Sequence, residues 1–135
     1  MTAGRAVLDP NVLISALLSP SRSPAALVVR WLAGEFELIV SERLLAELRR
    51  ALAYPKLRSR ITEEEAMAFV DLLGRTATRV DDPATSPRRS RDPGDDCLLA
   101  LAEAGAAVLV TGDRDLLALA DVPVLSPAAF LETLA

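Results

Sequence analysis

"RAVLDPNVLISALL", residues 5–18, is apolar at most positions, yet Asp9 interrupts it with Pro10 and Asn11 directly behind. Taking a lone carboxylate into a core is costly, so such a group is neutralised, hydrogen-bonded or bound to a cation. "RAVLD" predicts a short buried strand that ends at Asp9. Further strands are predicted over 36–40 ("FELIV"), 76–80 ("TATRV"), 106–111 ("AAVLVT") and 122–125 ("VPVL"). Between them the pattern turns helical. One helix is expected over 23–34, with Ser23 as its N-cap, Pro24 in its first turn and Gly34 as its stop. A second runs from a Ser41 cap through Ala53. A third covers 61–74, opened by a Thr62–Glu65 capping box and closed by Gly74. Shorter helices are expected over 95–105, 114–120 and 126–135, and the charged, proline-bearing stretch 81–94 reads as a surface loop. Short apolar strands alternating with helices predict an α/β fold, a parallel sheet covered on both faces, in one domain over 1–135. In such sheets ligands bind at the carboxyl ends of strands.

The composition bounds the chemistry. With 135 residues, 51% apolar and 25% charged, the chain is long enough for a real core and is not disordered. No apolar run approaches the roughly 18 residues that cross a bilayer, and the start lacks a signal-like stretch, so a cytoplasmic location and no membrane partner are expected. The single cysteine, Cys97, rules out an internal disulfide and fits a reducing compartment. There is no histidine, which excludes an imidazole base and the usual zinc sites. No glycine-lysine phosphate loop and no G-x-G-x-x-G occurs. Net charge is −4, against indiscriminate nucleic-acid binding, but the cations are nearly all arginine, and "PRRSR" at 87–91 groups three of them.

What remains is carboxylate chemistry. Asp9 follows the first strand, and Asp113 lies just past the strand ending "VLVTG". Asp95 heads the face of its helix that carries Leu98, Leu99 and Ala102, and Glu47 flanks the stripe of Leu44, Leu48 and Ala51. Each acid also has a plainer reading. Asp9 and Asp113 suit caps of the turns that follow them, Asp95 a first-turn charge, and Glu47 a surface partner of Arg43 or Arg50. Held together, four carboxylates repel one another unless a cation neutralises them. An all-oxygen set selects Mg²⁺ or Mn²⁺, which acidifies a bound water and stabilises a leaving oxygen.

"VLDPNVLISALL", "SERLLAELRRALAYPKL", "RDPGDDCLLALAEAGAAVLVTGDRDLL" and "VPVLSPAAFLETL" together resemble the PIN-domain family over nearly the whole chain. The likeness is greatest to the toxins of bacterial and archaeal toxin–antitoxin pairs, similar to the VapC ribonucleases. The resemblance implies a three-layer α/β/α sandwich around a parallel sheet of about five strands, and cleavage of single-stranded RNA with Mg²⁺ or Mn²⁺. It places the four family acids on Asp9, Glu47, Asp95 and Asp113. Asn11 falls where members orient the metal-binding carboxylates, Thr111 on the hydroxyl before the last acid, and Ser41 on the one opening the second-acid helix. Pro10 stands where many members carry Thr or Ser. Asp95 is preferred to Asp96 as third acid because it lies seven residues before Ala102, as in the family. Asp92, Asp96 and Asp115 are kept as supporting groups. Arg88, Arg89, Arg91 and, more weakly, Arg114 are expected to position phosphates. The implied partners are a second copy of the chain and a small antitoxin.

Two other classes stay open on the sequence. One is an inactive PIN-like module that binds RNA or a partner without cutting. The other is phosphoryl transfer on Asp9, disfavoured because Asn11 stands where a second Asp is wanted and the only lysine, Lys56, lies in a "YPKL" turn.

Overall fold

Alternating strand and helix carry the chain through β1 (Arg5–Leu8), α1 (Pro10–Leu18), α2 (Ser23–Leu32), β2 (Glu37–Val40), α3 (Glu42–Leu52), α4 (Pro55–Arg58), α5 (Glu63–Thr76), β3 (Thr78–Arg79), α6 (Pro93–Ala104), β4 (Val108–Val110), α7 (Arg114–Leu117), β5 (Val124–Leu125) and α8 (Pro127–Thr133). The structure is a computed structural model and describes residues 4–119 and 123–134. The five strands form one sheet in the order β3-β2-β1-β4-β5, every pairing parallel. β1 lies at the centre, with Ala6 opposite Leu38 of β2 on one side and Val108 of β4 on the other. Central strands of a parallel sheet are buried on both faces, which is why Ala6, Val7 and Leu8 are all apolar and at most 1% exposed.

Helices complete the α/β/α sandwich. α1 packs on α2 and α3, α3 on α5, and α2 on α8, while α6 rests on β1 and β4. Leu44 and Leu48 of α3 and Leu99 and Leu101 of α6 enter the core, joined by an edge-to-face pair of Phe36 and Phe130. No single helix among the described residues is long and apolar enough to cross a membrane. α1 and α2 together pass on length and composition but meet at a 98° bend, with Val12, Leu13, Ile14, Leu27 and Trp31 in the core.

Most expected elements are present, with shifted ends. The 23–34 helix starts at Ser23 itself, with Arg22 as its cap residue, and Gly34 follows it in the left-handed region (φ 82°). The Thr62–Glu65 capping box is formed, but the helix does not stop at Gly74. Gly74 does not take the left-handed conformation of a stop, the Ala77 N–H closes the helix on the Leu73 carbonyl at 3.0 Å, and the Arg79 guanidinium donates to the Gly74 carbonyl at 3.2 Å. α6 begins two residues before Asp95, because the Asp92 side chain accepts the Gly94 N–H and Pro93 supplies the first helical φ. β4 is shorter than 106–111 because Ala106 turns the chain with φ 52°. β3 is two residues long. Ala120 and Ala135 of the expected last helices and Val122 of the expected last strand lie outside the described residues.

One consequence of the strand order positions the site. The chain winds outward from β1 through β2 to β3, then returns to lay β4 on the other flank of β1. The winding direction therefore reverses between β1 and β4, the place where sheets of this kind leave a crevice beyond the carboxyl ends of their strands.

Candidate active site

Asp9 and Asp113 stand at that crevice. The Asp9 N–H donates to the Val110 carbonyl at 3.0 Å, tying the end of β1 to the end of β4. The Asp9 side chain is only 6% exposed, and both its oxygens are engaged. Oδ1 accepts the Asn11 N–H at 2.9 Å, which caps α1, and Oδ2 accepts the Thr111 hydroxyl at 2.9 Å. Thr111 is fully buried, and its oxygen in turn accepts the Asp113 N–H at 3.1 Å. Asp113 caps α7 by accepting the Asp115 N–H at 2.8 Å. A continuous run of hydrogen bonds thus sets the two aspartates relative to one another.

α6 and α3 bring the other acids. Asp92 caps α6 and Asp95 follows within its first turn, half-buried. Ser41, fully buried, caps α3 by accepting the Leu44 N–H at 3.2 Å, and Glu47 lies on the half-buried flank of that helix. Gly94 lies between Asp92 and Glu47. A Cβ there would meet Asp92 Oδ1 at 3.3 Å and Glu47 Oε1 at 3.9 Å, so the missing side chain lets two carboxylates approach the same turn.

The titration behaviour of these groups records their proximity. Burial pushes the Asp95 carboxyl up, and the charges of Asp92, Asp9, Asp113 and Asp96 push further, to about 6. Asp9 is raised by burial first. The bonds from Asn11 and Thr111 oppose the rise, and the charges of Asp113 and Asp92 add to it. Glu47 is raised by burial, opposed by Arg50 and Arg43 and reinforced by Asp9 and Asp92. Asp95 thus lies within reach of the charges of Asp9, Asp92 and Asp113, and Glu47 within reach of those of Asp9 and Asp92. No group of three acids among the described residues is arranged so that it could by itself hold a metal ion.

Asp96 behaves differently. It is 2% exposed, and its Oδ1 accepts the N–H groups of Arg89 and Ser90 at 3.0 and 2.9 Å and the Ser90 hydroxyl at 2.8 Å. Burial pushes this carboxyl up, but the three donors outweigh it and the net displacement is downward. Of the adjoining pair, Asp95 faces the other acids and Asp96 holds the preceding loop.

The arginines divide as well. Arg88 and Arg91 are exposed on that loop, and Arg114 is exposed at the start of α7. The Arg89 guanidinium pairs with Glu103 at 2.6 Å, toward the far end of α6. Asn11 and Asp115 are exposed, and each sends its backbone N–H to a site aspartate.

Sequence reasoning missed Gly94, whose signal was a glycine in the first turn of a helix, and the bond by which Arg43, expected beside Glu47, donates to Cys97 Sγ at 2.7 Å. A groove of about 650 Å³ between α3, α4 and α5 is lined by Arg49, Leu52, Arg58, Met67 and Val70 among others and contains none of the crevice acids.

Known proteins resemble this chain in sequence or fold. A family model described as "PIN domain" matches residues 5–115. The chain is 27% identical over 117 residues to "Uncharacterized protein MJ1680" of Methanocaldococcus jannaschii, covering 87% of this chain and 76% of that one. Among solved structures it is similar to PAE2754 from Pyrobaculum aerophilum, with a TM-score of 0.63 at 20% identity, over 97% of this chain and 90% of that one. It is also similar to VapBC2 from Rickettsia felis bound to a DNA fragment from their promoter, with a TM-score of 0.63 at 16% identity, over 89% and 96% of the two chains. At these identities the likeness to the two structures is one of fold.

Proposed function

The chain belongs to the PIN domain family, and from that premise we propose that it is an endoribonuclease that hydrolyses single-stranded RNA with Mg²⁺ or Mn²⁺, as the toxin of a toxin–antitoxin pair. The observation that carries this reading is the convergence of Asp9, Glu47, Asp95 and Asp113 on one crevice, with three of the four carboxyls pushed upward. A repelling set of oxygens without imidazole or thiolate suits a hard divalent ion. Mg²⁺ keeps several of its waters and takes only one or two carboxylates directly.

Asp9, Glu47, Asp95 and Asp113 are the residues that would hold the ion, directly or through water, with Asp92 adding negative charge beside them. A divalent cation there supplies an acidified water and charge stabilisation at the leaving oxygen. The protein's own groups do the positioning. Thr111 and the Asn11 N–H fix the Asp9 carboxylate, Thr111 and the Asp115 N–H fix Asp113, and the exposed Arg88, Arg91 and Arg114 are available to RNA phosphates. The VapBC2 neighbour supports a small protein antitoxin as partner, and a homodimer belongs to the same reading.

The test is incubation of the purified protein with a mixed single-stranded RNA pool, with Mg²⁺, Mn²⁺ or excess EDTA, followed by mapping of the new ends. Cleavage is expected only with the divalent ions and is lost in Asp9→Asn and Asp113→Asn. Cleavage that persists in EDTA defeats the mechanism. Tight RNA binding without cleavage in either ion would instead assign the protein as a binding module.

A further inference from the structure

We infer that Asp96 is a positioning residue: it clamps the loop 86–91 against α6 and so presents Arg88 and Arg91 beside the acidic crevice for the strand that flanks the cut. This rests on the nuclease reading only in naming the strand as RNA. The clamp itself stands on contacts within the chain.

Asp96 is the residue of the acidic run 92–96 whose hydrogen-bonded oxygen, Oδ1, is given to the preceding loop. Two successive backbone N–H groups, from Arg89 and Ser90, converge on its Oδ1, where the Ser90 hydroxyl also arrives. The Ser90 oxygen lies 2.9 Å from the Asp92 carbonyl as well, so its single proton serves either the clamp or the α6 cap. A buried anion met by consecutive backbone donors fixes the local path of the chain, because each lost bond strands a polar group away from water. Two further attachments run the same loop along the helix, and a contact from α3 braces the cysteine that one of them uses. Ser86 donates to Cys97 Sγ at 3.4 Å, the Arg89 guanidinium reaches Glu103 at 2.6 Å, and the Arg43 guanidinium holds Cys97 from the other side at 2.7 Å. The strap makes Arg89 face down the helix and leaves its neighbours on either side, Arg88 and Arg91, exposed.

This divides a run of three arginines by task. Arg89 ties the loop to the protein, whereas Arg88 and Arg91 face outward at the amino end of the helix that carries Asp95. Asp96 Oδ2 is buried with no hydrogen-bond partner, so the carboxylate turns no accessible oxygen toward the crevice. Ground-state contacts to phosphates away from the scissile bond strengthen binding without entering the chemical step. Loosening the clamp should therefore raise KM and leave kcat nearly intact.

Two measurements on the full chain decide it. Limited trypsinolysis, without RNA or divalent ion, should cut Asp96→Ala after Arg88, Arg89 or Arg91 about tenfold faster than wild type, with other sites unchanged. Asp96→Asn keeps an acceptor oxygen and should stay near wild type. Ser90→Ala, which removes one of the three donors, should fall between, and it serves if Asp96→Ala fails to fold by circular dichroism. Steady-state cleavage of a fluorescent single-stranded oligoribonucleotide should then show KM raised about tenfold in Asp96→Ala, kcat within about twofold, and no additional loss on adding Arg88→Gln and Arg91→Gln. Equal trypsin susceptibility in Asp96→Ala and wild type, or a fall in kcat at unchanged KM, overturns the proposal. If wild type cleaves no RNA, the nuclease reading fails while the trypsin comparison still decides the clamp.

Discussion

Replacing Asp95 by Asn should make the metal-free protein more stable, although the residue sits in the candidate site. Its carboxyl is lifted from an ordinary 3.8 to about 6, first by burial and then by Asp92, Asp9, Asp113 and Asp96. That rise of about 2.2 corresponds to about 3 kcal/mol at 1.36 kcal/mol per unit. The side chain is only half-buried, so solvent screening reduces the figure to about 1.5 kcal/mol. Asn also gives up a favourable first-turn charge on α6, worth up to about 0.5 kcal/mol at a partly exposed position. The expected net gain is about 1 kcal/mol.

The sign follows from linkage. Below pH 3.8 the carboxyl is protonated in both states and costs nothing. Between 3.8 and about 6 the unfolded chain releases its proton first, so stability falls as the pH rises. Above about 6 the whole penalty is present. Asn never ionises, so its advantage should grow through that window and then level off. Urea unfolding of wild type and Asp95→Asn in EDTA, at pH values of about 4 and about 7.5, measures it. The variant should be more stable only at the higher pH. Saturating Mn²⁺ should stabilise the wild type and reverse the order. An advantage that is absent at about pH 7.5, or equal at both pH values, would refute the charge-repulsion reasoning.

Thr111→Val removes the hydroxyl shared by Asp9 and Asp113. It should cost about 1–3 kcal/mol in urea unfolding and raise the Asp9 carboxyl further in an NMR titration, because the lost bond is one that lowers it. Mn²⁺ should raise the melting temperature of the wild type strongly at about pH 7.5 and weakly at about pH 5, where Asp95, its carboxyl raised to about 6, takes up a proton; EDTA should undo the gain. Leu109→Ala empties a fully buried position in β4 and should destabilise by about 2–5 kcal/mol in the same assay, without altering the Asp9 titration if the sheet relaxes little.

The sheet was legible because its strands announce themselves twice, by apolar runs and by the acids that end two of them. "RAVLD" and "VLVTGD" could be matched as equivalent strand ends from spacing alone, and β1 and β4 prove to be neighbours. Element ends were less legible because tertiary packing decides them. Gly74 carries a stop signal, yet the helix closes only where the Ala77 N–H meets the Leu73 carbonyl, and α6 starts at Pro93 because the side chain of Asp92, three residues upstream of Asp95, reaches the Gly94 N–H. The preference for Asp95 over Asp96 came from the family-like spacing to Ala102, which says nothing of where either side chain is held. What Asp96 does was not legible, since its partners are backbone groups of a loop with no periodicity. Nothing in "PRRSR" distinguishes Arg89 from Arg88 and Arg91. Only the path of the loop commits one of them to Glu103.

The plain and the functional readings of Asp9 are not rivals. A helix cap needs one carboxylate oxygen, and Asp9 spends Oδ1 on the Asn11 N–H to start α1. The second oxygen is turned across the sheet to Thr111, on the strand where the winding direction reverses. Asp113 repeats the arrangement with the Asp115 N–H, and Asp92 with Gly94. Each of these helices begins beside the crevice because its capping aspartate does, and each cap brings a negative charge with it. Capping is thus how a chain without histidine gathers carboxylates at one edge: three local bonds, each favourable in isolation, assemble a charge cluster that is unfavourable as a whole. That surplus repulsion distinguishes the crevice from ordinary helix ends, and it is the quantity that a bound cation would relieve.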